Sequence, residues 1–222
     1  MALNINGTTG ISGVDGSVSA PAVTGTDSNT GITFPSADTI KFSTGGVERM
    51  QISNSGVSGT GVGGKIKQWV STTKQGATSF SVASGAISHY TDSTLRATIT
   101  PTSASNFLYI MGHVVVGREL LNWVYVGIGK DGADFTQGIG DASGSRRRAT
   151  VAATNNYTDI PYSLPFHAKV TAENTSERYY NLCFSHGSGA SRTIYLNRGS
   201  TDTDYVYLPR CISTITVIEV EP

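Results

Sequence analysis

Three consecutive arginines, Arg146-Arg147-Arg148, are the densest charge in the chain. A guanidinium offers a planar fork of donors that matches phosphate and carboxylate oxygens two at a time. Three in a row, just after a glycine-rich stretch, read as a patch for anionic cell-surface sugar polymers. A solvated turn or an inter-subunit ion pair is the reading that the residues alone favour over that patch. Tyr157, Tyr205 and Tyr207 border loop-like sequence, where a tyrosine ring could stack on a sugar ring.

Other chemistry-bearing residues form no recognisable constellation. His89, His113, His167 and His186 are scattered, with no HxH or HxxxH pair. Glu119, Asp131, Asp134, Asp141, Glu173 and Glu177 are available carboxylates, but their spacing selects no pair for glycoside cleavage. Gly140-Asp141-Ala142-Ser143-Gly144 differs at Ala142 from the GDSGG around a serine nucleophile, and no companion triad element is evident. It reads as a glycine-rich loop. Cys183 and Cys211 are the two cysteines, too few for a disulfide framework or a zinc quartet. The chain therefore reads as non-enzymatic, with no metal and no cofactor.

The elements that position these residues follow from composition. Formal net charge is zero, which gives no basis for a counterion-displacing grip on nucleic acid. No apolar run approaches the ~20 residues of a membrane span. Thirteen of the 26 glycines fall in residues 1–64, whereas no tyrosine or tryptophan does. That shift divides the chain into an extended arm (1–58) with a hairpin near 38–54, a glycine joint (59–64) and a head (65–222).

The arm has sparse apolar residues, and ordering each residue costs roughly 1–2 kcal/mol of backbone entropy. Its clearest element is the hairpin. Ile40 and Phe42 alternate with polar neighbours on one arm, Met50 and Ile52 on the other. A two-residue turn at Gly45-Gly46 would set Phe42 against Arg49, apolar against charged. A five-residue loop, Thr44 to Glu48, pairs Phe42 with Met50 and Ile40 with Ile52, and is the preferred reading. Those four side chains then form an apolar docking face that neighbouring sequence does not cover.

In the head, short apolar or alternating runs recur every 8–12 residues between turn clusters, the pattern of a sandwich. Strands are expected near 65–70, 78–83, 86–90, 95–100, 106–116, 122–129, 134–138, 147–152, 162–171, 178–186, 192–197 and 212–220. The fold class is all-β: a two-sheet antiparallel jelly-roll-like sandwich of eight to ten strands, with little or no helix. Asn106–Val116 and Trp123–Ile128 are apolar on both faces, which predicts that both are covered. Phe107, Tyr109, Met111, Trp123 and Tyr125 are the candidates for an interface with a second subunit.

Three segments carry a resemblance: NINGTTGISGVDGS, TDSNTGITFPSADTIKFSTGGVERMQISNSG and RGSTDTDYVYLPRCISTITVIEVEP. They resemble segments of appendage proteins of tailed bacteriophages, nearest the fibre-like proteins of phages of aquatic cyanobacteria and other marine bacteria. The likeness covers the arm closely and the head more loosely. It implies a virion structural protein made in the host cytoplasm and carried on the tail or capsid exterior. It further implies an arm that docks on other virion proteins and a homotrimeric head that contacts host surface polysaccharide. A capsid decoration, cement or capsid fibre protein is the alternative.

Overall fold

Gly45 and Gly46 have φ of 60° and 71°, so the hairpin closes through a tight two-residue turn of the mirror-image type. The expected five-residue loop is not formed. Thr44 pairs with Val47 and Ser43 with Glu48, then the register shifts and Phe42 pairs with Met50. Arg49 is the extra residue, a β-bulge that restores Phe42–Met50 and Ile40–Ile52 pairing. The bulge is held locally, because Arg49 Nε donates to Thr44 Oγ1 at 2.9 Å. Apolar matching decides the register, and the bulge absorbs the one-residue mismatch that the turn creates.

The computed structural model describes residues 4–6, 10–12, 15–59, 65–120, 122–154 and 157–222. Of the sequence-predicted joint (59–64), residues 60–64 lie outside them. The chain divides into a unit of residues 1–65 and a unit of residues 66–222.

The first unit contains β1 (Asn4–Asn6), β2 (Gly10–Ser12), β3 (Gly16–Ser17), β4 (Ala20–Pro21) and β5 (Val23–Thr24). β6 (Gly31–Ser36), β7 (Thr39–Thr44), β8 (Val47–Ser53) and β9 (Gly56–Ser58) complete it. The predicted hairpin, β7–β8, is the centre of a five-stranded antiparallel meander in the order β5-β6-β7-β8-β9. Directly opposed residues share a face. One row is therefore Val23–Ile32–Phe42–Met50 and a second is Ile40–Ile52–Val57. The opposite face carries Thr33, Lys41, Gln51 and Ser58, with a Lys41–Glu48 ion pair at 2.7 Å. Pro21 reaches that polar side, within 2.9 Å of where a Cβ on Gly31 would sit. The apolar side stays open within the unit: Phe34, Ile40, Ile52, Val23 and Val57 are all exposed.

The second unit has twelve strands among its described residues: β10 (Ile66–Lys74), β11 (Thr78–Val82), β12 (Ser88–Tyr90), β13 (Arg96–Ile99), β14 (Phe107–Arg118), β15 (Val124–Lys130), β16 (Ala133–Asp134), β17 (Val151–Ala153), β18 (Tyr162–Thr171), β19 (Arg178–His186), β20 (Arg192–Leu196) and β21 (Ser213–Val220). Each expected segment overlaps one of them. The segment near 134–138 is mostly a 3₁₀ turn, Thr136–Gly138, after a two-residue strand. The count exceeds the expected eight to ten because two positions are interrupted. β12 and β13 follow one another along one edge of β19, and β16 and β17 do so along β15. With those merged, positions in chain order read β10, β12/β13, β14, β15, β16/β17, β18, β19 and β21. The two sheets are then 1-8-3-6 and 2-7-4-5, the strand order of a jelly roll. β11–β20 is an additional pair, added where β14 outruns β21.

The core lies between the sheets. Leu108, Ile110, Val114, Val116, Val217 and Ile215 face Tyr180, Leu182, Phe184, Val126 and Ile128, all essentially fully buried. Burying each such side chain contributes about 1.5–3 kcal/mol. No helix of the described residues is long and apolar enough to cross a membrane.

Candidate anion-binding groove

Two features build the groove. The first is the glycine-rich connection between the Thr136–Gly138 turn and β17. Gly144 takes φ of 56°, a left-handed conformation that suits glycine, and Arg146 N donates to Ser143 O at 3.2 Å. Gly140 N donates to Ala149 O at 3.1 Å, and Arg148 Nε donates to Gly140 O at 2.6 Å, which closes the loop at its base. Thr150 staples the loop to the sheet. Its N–H donates to Val126 O at 2.9 Å, and its hydroxyl accepts from Ile128 N at 3.0 Å while donating to Gly138 O.

The second feature is an aromatic platform on β15. Tyr125 pairs with Ala152 across the β15–β17 ladder, so it lies beside the returning loop. Trp123, two residues earlier, stacks on it with ring centroids 6.5 Å apart and planes at 16°. Half of Trp123 remains exposed.

The loop and Tyr125, without Trp123, line an open groove of about 320 Å³, with Asp141, Ser143, Arg146, Arg147 and Arg148 among its walls. Arg146 and Arg147 are exposed, and none of the three arginines has a carboxylate partner among the described residues. Three guanidinium groups against the single carboxylate of Asp141 leave the groove net positive. Such a site takes a planar oxyanion through paired donors and a sugar ring on the tyrosine face.

The other sequence candidates go elsewhere. Tyr157 and Tyr205 do not line this groove. They lie on two loops tied at Asp159, whose Oδ1 accepts from Ser200 Oγ at 2.9 Å and Thr201 Oγ1 at 2.5 Å. The five interface candidates also separate. Phe107, Tyr109 and Met111 lie on the outer face of the β10-β21-β14-β18 sheet, whereas Trp123 and Tyr125 belong to the opposite sheet. On the first face Lys169 Nζ sits 3.6 Å from the Phe107 ring centroid, and Tyr109 stacks on His167 at 5.9 Å. Trp69, 65% exposed, extends that face through the row Trp69–Ile218–Tyr109. Sequence reading passed it over, although it alternates with Gln68 and Val70 in a predicted strand.

Cys183 lies opposite His89 in the β12–β19 ladder, and His89 Nε2 is 3.0 Å from Asp134 Oδ1. The three residue types together could mean a nucleophile. Burial, reinforced by the Asp134 charge, pushes the thiol up to about 11, so at neutral pH it stays protonated and weakly nucleophilic. Among the described residues no group of three or more His, Cys, Asp or Glu is placed to hold a metal ion.

No family model matches the chain, and no curated protein matches it. Solved structures give distant likenesses. The infectious bursal disease virus VP2 subviral particle aligns with 12% identity and a TM-score of 0.33, over 70% of this chain and 41% of that one. T=1 particles derived from infectious bursal virus align with 13% identity and a TM-score of 0.35, over 94% of this chain and 58% of that one. The chain thus spans less than two thirds of the length of these neighbours. At these values the likeness assigns no role.

Proposed function

We propose that this chain is a virion structural protein of a tailed phage, a fibre or tail-tip appendage whose sandwich holds acidic host-surface polysaccharide. The observation that carries this reading is the groove that Arg146, Arg147 and Arg148 line together with Tyr125, with no carboxylate partner for the arginines among the described residues. The resemblance of the N-terminal segments to phage appendage proteins supports the virion part. In this reading the first unit attaches to the particle through its apolar sheet face, and the sandwich forms a homotrimer. A cyclic trimer uses different patches on the two sides of each subunit. The apolar stripe Trp69–Ile218–Tyr109 with Phe107 and Met111 supplies one such patch.

The test is binding of the full chain to a uronate-containing polysaccharide and to a neutral one. Binding should favour the acidic polymer, weaken steeply with salt, and fall at least tenfold when all three arginines become alanine. Binding of the acidic polymer that does not weaken with salt, or that is unaffected in the triple variant, overturns the reading. Light scattering should return the trimer mass; a monodisperse monomer removes the assembly part.

A second reading, a capsid decoration or cement protein, is favoured by one observation. The open face of β5–β9 includes a shallow depression of about 450 Å³ floored by Phe34, Ile40 and Ile52. Such a face suits docking along a shell. Antibody-labelled electron micrographs of the particle separate tail from shell.

A further inference from the structure

The loop at 202–210 presents an aromatic tip that neither the core nor the groove uses. Asp202 is gripped from both sides: Arg210 Nη2 donates to its Oδ1, and Arg198 Nε lies 3.6 Å from its Oδ2. The two ion pairs brace the base of the loop. Beyond them Leu208 N donates to Tyr205 O at 2.9 Å, which turns the chain at the tip. Tyr205, Val206 and Tyr207 are 59%, 86% and 72% exposed. The two tyrosine rings meet at 5.3 Å and 66°, an edge-to-face corner. Burial of these side chains contributes little to the fold, yet their arrangement is held by the braced base.

Beside the corner is an open cavity of about 310 Å³, lined by Asp202, Thr203, Asp204, Tyr205, Leu208 and Arg210. That is at the small end of the ~300–1,000 Å³ range of small-molecule sites. Asp204 makes no ion pair or side-chain hydrogen bond among the described residues, so its carboxylate is free to accept. Among the lining residues two carboxylates, Asp202 and Asp204, stand against the single guanidinium of Arg210, which leaves the cavity net negative. The site therefore combines an apolar ring surface, a free acceptor and a guanidinium donor, and it repels anions.

We propose that the 202–210 loop is a binding site for a neutral pyranose. A pyranose has one C–H face that packs on an aromatic ring and a rim of hydroxyls that donate to carboxylates and accept from guanidinium. An acidic sugar is disfavoured by Asp204, which distinguishes this loop from the arginine groove. The inference does not depend on the function proposed for that groove.

Saturation-transfer NMR of the full chain with methyl glycosides of glucose, galactose and mannose tests it. At least one glycoside should receive saturation on the C–H protons of one ring face. The signal should fall at least fivefold in the Tyr205→Ala/Tyr207→Ala variant and at least twofold in Asp204→Asn. It should persist in the variant lacking Arg146, Arg147 and Arg148. All these side chains except the half-buried Arg148 are exposed, and circular dichroism checks that each variant keeps its β signature. Asp204→Asn, which preserves shape, serves if the double variant does not fold. No transfer from any of the three glycosides, or transfer unchanged in the tyrosine variant, overturns the proposal.

Discussion

Asn106 Nδ2 donates to Glu219 Oε1 at 2.6 Å in the interior of the sandwich, where Glu219 has no exposed surface. The same carboxylate accepts from Thr102 N at 2.7 Å, Thr102 Oγ1 at 2.9 Å and Gln68 Nε2 at 2.7 Å. Among the described residues no cation pairs with it. Four donors hold the 100–106 turn to β21 and β10. Burial opposes the charge, but the hydrogen bonds outweigh it and hold the carboxyl below the ordinary glutamate range.

A depressed folded-state pKa means the stabilisation is complete above the unfolded value and is lost as pH falls through the folded one. Stability should therefore fall on acidification below about pH 4.5, the ordinary value for the group. Asp92, Glu119, Asp159 and Glu173 are lowered as well and add to the slope. Glu219→Gln should make the slope shallower without abolishing it. Glu219→Ala should cost about 2–4 kcal/mol at neutral pH, because it strands buried donors. Urea midpoints across a pH series measure both.

The bulge at Arg49 is testable by cross-linking. Opposed side chains have Cβ atoms about 4.5–5.5 Å apart, close enough for a disulfide after small adjustment. Phe42→Cys with Met50→Cys should close under mild oxidant. Phe42→Cys with Arg49→Cys should stay reduced, since Arg49 is the bulge residue. Mass spectrometry after alkylation reads the outcome, and the reverse result would place the register wrongly.

Arg178 is 4% exposed and closes the 172–177 loop with no carboxylate partner among the described residues. It donates to Ala172 O, to Asn174 O at 2.8 Å, to Asn174 Oδ1 and to Ser176 O at 3.1 Å. Only a fork of donors serves several carbonyls at once. Arg178→Lys should lower stability by about 2 kcal/mol, and Arg178→Ala by about 3–4 kcal/mol, through buried acceptors left unpaired. Equilibrium unfolding in urea decides this, and a neutral Arg178→Lys would contradict it.

The two thiols should differ in reactivity. Cys183 is buried with its pKa pushed up to about 11, while Cys211 is half-buried. At pH 8 a colorimetric disulfide reagent should titrate Cys211 in the native protein, with Cys183 reacting only on unfolding. Two fast thiols in the native state would show that the cover over Cys183 is open.

Much of this fold was legible because β alternation is local. Apolar spacing at Ile40, Phe42, Met50 and Ile52 determined which residues face each other, even though the turn reading was wrong. A bulge changes the loop without changing the face, and nothing in the spacing marks where the extra residue sits. Most head segments were legible too, since breakers rich in glycine, serine and aspartate separate them, although the one near 134–138 is mostly a 3₁₀ turn. Which of them are collinear was not. β12 and β13 share one edge of β19 only through hydrogen bonds to residues some 80 to 95 positions away.

The candidate site shows the same division. By itself the sequence determined the arginine triplet, its glycine-rich loop and the two-faced character of Trp123–Ile128. It assigned Trp123 and Tyr125 to a subunit interface alongside Phe107, Tyr109 and Met111, because alternation tells that two residues are on an outer face but not of which sheet. Only the tertiary structure decided that β15 and β14 belong to opposite sheets, and that the Tyr125–Ala152 pairing brings the aromatic platform to the arginine loop. The reason is physical. A strand's faces are set by its own period of two, whereas its neighbours are set by long-range hydrogen bonding that no local pattern encodes.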